Sequence, residues 1–184
     1  MVDLKQKPYF LNDEQIKYVK DKIKEMSIED KIGQLFFVVG QDSDTVNLSE
    51  FTKKYRPGGI MYRPDKAEKI KAEVNEIQES SDIPLFVAAN LESGGNGIAI
   101  EGTWVGTPME MAATGDSQSA YQLGKISGYE AAQVGANMSF APIVDIDMNF
   151  RNPIMNVRTF GSDRNRVIVP YDMAPLHTRY IPRA

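Results

Sequence analysis

Two stretches of the chain hold the residue types that chemistry needs. Asn90-Leu91-Glu92-Ser93-Gly94-Gly95-Asn96-Gly97 is polar and rich in glycine, a composition that brings backbone close to a ligand. Val144-Asp145-Ile146-Asp147-Met148-Asn149 alternates two acids with apolar residues, and Arg151 and Arg158 follow. Each arginine presents a planar fork of donors suited to carboxylates or sugar hydroxyls. Two readings stay open. In one, the two stretches bind a polar ligand. In the other, a glycine turn and acids paired with arginines tie down a long loop. The two aspartates point the same way on an extended segment, and their repulsion would raise the pKa of one. Neither is marked as attacker or as proton donor. His177 is the chain's one histidine and so its single candidate for imidazole acid–base chemistry. No cysteine is present, which removes thiolate nucleophiles, thiolate metal sites and disulfides, and one histidine cannot make a histidine-cluster metal site.

These residues sit in a chain of 184 residues, 42% hydrophobic and 25% charged. That is the size and composition of one globular domain. Twenty-one basic against 25 acidic residues give a net charge of −4, which argues against a nucleic-acid surface. Residues 1–8 lack the apolar stretch of a signal peptide. No run approaches the roughly 18 apolar residues of a membrane span. A soluble, cytoplasmic protein without membrane contact is expected.

The elements that position the polar stretches follow from periodicity. A helix starts at Asn12 and Asp13, with Ile16, Val19, Ile23 and Met26 on one stripe. Ser27-Ile28-Glu29-Asp30 has the form of a capping box and starts a second, short helix. This pair is expected to lie on a larger core. Leu35-Phe36-Phe37-Val38-Val39 then reads as a strand buried on both faces. Gly59-Ile60-Met61-Tyr62, Pro84-Leu85-Phe86-Val87-Ala88-Ala89 and Ala136-Asn137-Met138-Ser139-Phe140 are three further strands. Helices are expected at 43–54, at 65–80 and from Asp116 or Ser117 to Gly135, the last with a stripe of small residues at Ala120, Gly124, Gly128 and Ala132. After Phe160 the rhythm fails. Pro170, Pro175 and Pro182 fall where a helix and a strand should follow, and a solvated tail is expected. The division is an N-terminal helical segment (1–27), a partial barrel domain (28–163) and an irregular tail (164–184).

Alternation of strands and helices means a parallel sheet with covering helices, either an open doubly wound sheet or a (β/α)₈ barrel. No Gly-x-Gly-x-x-Gly or P-loop pattern follows the first strand, which weakens a nucleotide-binding reading. A full barrel takes about 250 residues, so the chain is short of one by roughly a third. In either architecture function gathers at the C-terminal ends of the strands. The third and fourth of those ends are the two polar stretches.

Five segments, in order, carry a resemblance. They are Ile28-Glu29-Asp30-Lys31-Ile32-Gly33-Gln34-Leu35, Pro57-Gly58-Gly59-Ile60, Pro84-Leu85-Phe86-Val87-Ala88-Ala89-Asn90-Leu91-Glu92, Phe140-Ala141-Pro142-Ile143-Val144-Asp145 and Asn156-Val157-Arg158-Thr159-Phe160-Gly161-Ser162-Asp163. Together they resemble the N-terminal domain of family 3 glycoside hydrolases, in the β-N-acetylhexosaminidase branch. The resemblance implies a (β/α)₈ barrel, of which this chain would form the N-terminal half. It implies removal of terminal N-acetylglucosamine with retention of configuration, and no metal or cofactor.

Carried over by position, Arg158 matches the sugar-binding arginine of an Arg-(Ser/Thr)-Phe motif. Asn90 stands where the family usually has a sugar-gripping aspartate. It still accepts and donates, but without charge. Glu92 and Asp145 match positions that support loops. Members of the family continue into a fifth strand with Lys-His-Phe-Pro-Gly, a histidine acid/base and an aspartate nucleophile, none of which matches a segment here. His177 lacks the neighbours and spacing of that acid/base.

The expectation is therefore Asn90, Glu92 and Arg158 as substrate-binding residues and Asp145, Asp147 and Arg151 as loop supports, with no catalytic residue and no metal ligand. The chain reads as a truncated glycosidase, inactive by itself. Its partner would be a small carbohydrate, and its exposed barrel edges would favour a homo-oligomer. A non-catalytic sugar-binding or scaffold domain and an unrelated open α/β domain are the alternatives.

Overall fold

The first two helices start at side-chain caps that the sequence displays. In the computed structural model, which describes residues 2–40, 47–165 and 167, Asn12 caps α1 (Asp13–Glu25). Its Oδ1 accepts from the Gln15 backbone N–H at 2.8 Å while Gln15 Oε1 accepts from the Asn12 N–H at 3.0 Å. Ser27 and Asp30 form the same reciprocal box at the start of α2 (Ile28–Gly33). Each box satisfies two donors that the first helical turn leaves orphaned.

From α2 onward strands and helices alternate: β1 (Phe37–Val39), α3 (Leu48–Tyr55), β2 (Gly59–Tyr62), α4 (Ala67–Glu79), β3 (Phe86–Ala89), α5 (Pro108–Ala113), α6 (Ser117–Gln133) and β4 (Met138–Ser139). The strands form one parallel sheet in the order β1-β2-β3-β4. That order has no reversal, which separates it from a doubly wound sheet. It is the sequential, parallel arrangement expected of the first half of a (β/α) barrel.

Alternation along the strands divides the sheet into two faces. Ile60, Tyr62, Val87 and Ala89 point toward the helices and join Ile70, Val74 and Ile77 of α4 and Ala131 of α6 in the main core. Phe37, Gly59 and Phe86 share one row of the opposite face through the register Phe37↔Gly59↔Phe86. There the Phe37 and Phe86 rings stack at 6.2 Å between centroids, and Phe140 meets Phe37 edge-on at 5.7 Å. The Phe37 ring fills the place that a side chain on Gly59 would take.

Several expectations change. The β1 run is not buried on both faces: Phe37 and Val39 are 40% and 55% exposed, because the helices cover one face only. The helical pair does not lie on the core through α1, which buries no residue. The buried stripe of α6 is Ala120, Leu123, Ser127 and Ala131, so Gly124 and Gly128 are not its contact line. Helix α5, capped by Thr107 with Pro108 in its first turn, was not read from the sequence. The expected start of the 43–54 helix lies outside the described residues, as do His177 and the tail from 168. Val167 is buried against Phe160 and Ala120, so the chain still packs at that point. Among the described residues no helix is long and apolar enough to cross a membrane.

Candidate functional site at the sheet mouth

The C-terminal ends of the strands carry the two polar stretches, and the structure joins them. The guanidinium of Arg158 donates twice to the carboxylate of Glu92, Nε to Oε2 and Nη2 to Oε1, both at 2.7 Å. This is the parallel fork-to-fork geometry that makes arginine–carboxylate pairs strong and directional. Arg158 Nη1 also donates to the Ile154 carbonyl at 3.4 Å. The hydrogen bond to Glu92 is the chief cause that raises the Arg158 pKa, so the guanidinium is charged at every relevant pH. The Glu92 side chain is 13% exposed and that of Arg158 is 38% exposed. The pair thus has a buried acid and an accessible cation.

Both partners sit on loops that are themselves held. After β3, Gly94 takes φ +144°, and a side chain there would collide with the Thr103 carbonyl oxygen. The Ser93 carbonyl accepts from Val105 and Gly106 N–H at 2.7 and 3.3 Å. Glu130 of α6 accepts from the Thr103 N–H at 2.7 Å and from its hydroxyl at 2.6 Å. Glu101 Oε2 accepts from the Ala67 N–H at 2.9 Å, capping α4, whose own N-cap residue Lys66 supplies no side-chain bond. On the other side, Arg158 closes a short 3₁₀ turn (Asn156–Arg158), anchored by Thr159 and Phe160, both buried. Two anchored loops therefore meet in one ion pair.

The remaining expected site residues fall as follows. Asn90 is exposed, at the mouth end of β3. Glu92 accepts one hydrogen bond from Arg158 on each oxygen, so it holds the arginine in place. Asp145 and Asp147 make no ion pair with Arg151 or Arg158 among the described residues, which corrects the expected acid–arginine tether. Asp147 serves its loop through backbone, its N–H donating to the Gly161 carbonyl at 3.0 Å. The Arg151 guanidinium lies over the Phe150 ring at 5.4 Å. No group of three or more potential metal ligands occurs among the described residues.

The register pairs Tyr62 with Ala89 and Ala89 with Ser139. Arg63 and Asn90, the residues that follow β2 and β3, are both exposed at the mouth.

Residues 27–171 match the family described as Glycosyl hydrolase family 3 N terminal domain. The chain belongs to glycosyl hydrolase family 3. It is 40% identical over 163 residues to a protein of Cellulomonas fimi named Beta-N-acetylglucosaminidase/beta-glucosidase, covering 89% of this chain and 29% of that one. A solved structure named Beta-glucoside phosphorylase BglX, bound to 2FGlc, superposes with a TM-score of 0.87 at 42% identity, over 93% of this chain and 32% of that one. A family 3 β-N-acetylglucosaminidase from Paenibacillus sp. str. FPU-7 gives 0.73 at 27% identity, over 84% and 31%. This family 3 chain thus spans about a third of the length of each of these relatives.

Proposed function

We propose that this chain forms the terminal-sugar recognition part of a retaining β-glycosidase acting on β-N-acetylglucosaminides. The observation that carries the reading is the Glu92-clamped Arg158 at the sheet mouth. Such a guanidinium is fixed in direction, and its accessible N–H groups face ligand oxygens instead of folding onto the surface. Asn90, on the neighbouring strand end, adds one acceptor and one donor group. The name of the relative in Cellulomonas fimi supports the substrate class.

Retaining hydrolysis needs a nucleophile and an acid/base on opposite sides of the scissile bond. Asp145 and Asp147 belong to one segment and offer no such pair. The chain therefore recognises sugar without turning it over by itself. In the domain arrangement that goes with this reading, residues 28–163 are the partial barrel that bears the site.

A second reading has its own support. The solved structure 42% identical to this chain is named a β-glucoside phosphorylase. In that reading the glycosyl group passes to phosphate instead of water, and β-glucosides join the substrates.

Calorimetric titration with N-acetylglucosamine tests the recognition role. Binding that falls at least roughly tenfold in Arg158→Ala is expected, the loss of one charge-assisted contact. Absence of any binding would refute recognition. Cleavage of a chromogenic N-acetyl-β-glucosaminide above background, abolished by Arg158→Ala, would refute the lack of turnover.

A further inference from the structure

The loop after β3 carries the chain's single tryptophan, and its backbone is pinned beside the Glu92–Arg158 pair. Trp104 forms an antiparallel bridge with Gly94, two residues beyond Glu92. The approach is close: a Cβ on Gly94 would stand 3.2 Å from the Trp104 Cα. The next residue, Val105, donates its N–H to the Ser93 carbonyl at 2.7 Å. The chain then enters α5, which packs against the 3₁₀ turn that ends in Arg158. Trp104 thus lies on the stretch that joins the surroundings of Glu92 to those of Arg158.

Its orientation follows from the residue before it. Thr103 gives its hydroxyl and its N–H to Glu130 of α6 at 2.6 and 2.7 Å. Side chains alternate along an extended segment, so Trp104 stands on the side away from α6. It is 57% exposed. Among the described residues its indole N–H makes no hydrogen bond, and its ring makes no aromatic or cation–π contact. A fixed backbone therefore presents a ring with both its faces and its donor unused.

We propose that Trp104 is a stacking platform for a second pyranose, the ring to which the terminal sugar is linked. An indole is a large, rigid surface that loses little freedom when covered. Its negative π-face attracts the polarised C–H groups of a pyranose, and its N–H remains to donate to a hydroxyl. The proposal rests on the reading of Arg158 and Asn90 as holding the terminal sugar. It adds a preference which that reading leaves open: a chain of at least two sugars binds better than a monosaccharide.

The test is calorimetry on the full chain, with N-acetylglucosamine and its β-linked dimer as separate titrants, joined to emission from the single indole. The dimer is expected to bind at least roughly tenfold more tightly than the monomer, and to change the emission on binding. In Trp104→Ala the preference for the dimer should shrink to within about twofold, and Trp104→Phe, with a smaller face, should recover part of it. Arg158→Ala should weaken both sugars and keep the preference, because it removes a contact to the other ring. Since Trp104 is exposed, both of its variants should melt near wild type.

A dimer preference that survives intact in Trp104→Ala overturns the proposal. So does a dimer that binds no more tightly than the monomer, or one that binds without moving the indole emission. Each of these results leaves recognition of the terminal sugar standing. If neither sugar binds, that recognition is refuted and the platform falls with it.

Discussion

The two faces of one four-stranded sheet are built from similar residues and meet different fates. Toward the helices, Ile60, Tyr62, Val87 and Ala89 are buried with α3, α4 and α6 over them. On the other face Phe37, Val39, Phe86 and Phe140 are exposed, at 40% to 56% of their surface. Both faces are apolar, so residue type alone does not separate them. The difference teaches that burial follows what lies across from a residue. The open face is ordered by its own contacts, ring on ring and ring over Gly59, and the mouth lies at its upper edge.

The largest expected effect is a direct contrast of the faces. Ile77→Ala, in α4 against the covered face, leaves a cavity in a site 1% exposed and should destabilise by about 2–4 kcal/mol. Phe86→Ala on the open face removes a larger side chain that still touches water and should cost under about 1.5 kcal/mol. Urea unfolding of the two variants measures both. Equal losses would show that the open face is covered in solution.

Two adjacent glycines sharpen the contrast at smaller scale. A Cβ on Gly58 would collide with the backbone carbonyl of Gln34, while one on Gly59 would meet only the ring of Phe37. Backbone cannot step aside as a ring can. Gly58→Ala should therefore destabilise by about 1–3 kcal/mol and Gly59→Ala by clearly less. The ranking, read from thermal melts, is the test; the reverse order would place the rigid wall on the open face.

How much of this was legible follows from which forces are local. The α1 and α2 caps and the four strands were readable because Asn12/Gln15, Ser27/Asp30 and the apolar runs act over a few residues. The exposure of Phe37 and Val39 was not, since the same run is written whether one face or both are covered. The stripe of α6 was misread because small residues mark possible close approach, whereas Leu123 and Ser127 mark the actual contact. At the site, Glu92 and Arg158 were both chosen, but their union was hidden: a pair so distant in sequence leaves no periodic trace. Asp147 was chosen for its carboxylate and works through its backbone N–H.

The ion pair yields a prediction of intermediate size. Glu92→Gln keeps the shape but removes the charge that fixes Arg158. It should lower stability by about 1–2 kcal/mol and, more tellingly, loosen the guanidinium, weakening N-acetylglucosamine severalfold. Glu92→Asp keeps charge at a shorter reach and should restore part of the binding. Calorimetry on the three proteins checks the order wild type, Glu92→Asp, Glu92→Gln. Equal affinities would reduce Glu92 to a loop support without influence on the ligand.

The smallest effect belongs to the covered face and appears only at high pH. The Tyr62 hydroxyl is buried, makes no well-formed hydrogen bond among the described residues, and has the Glu73 carboxylate nearby. Burial first, and then the negative field of Glu73, push its pKa well above the ordinary tyrosine value. An acid whose folded pKa is raised keeps its proton in the fold and loses it in the unfolded chain at about pH 10. Below that pH the two states bind the same number of protons, and stability is independent of this group. Above it the unfolded chain releases a proton that the folded chain retains, so stability falls as pH rises. Tyr62→Phe removes that term. At pH 7 the variant should stay close to wild type, since the hydroxyl makes no well-formed hydrogen bond. At pH 10.5–11 it should melt above wild type by a few degrees. A gap between the two proteins that stays constant from pH 7 to pH 11 would show that the hydroxyl is hydrated, and that even the covered face admits water at the end of β2.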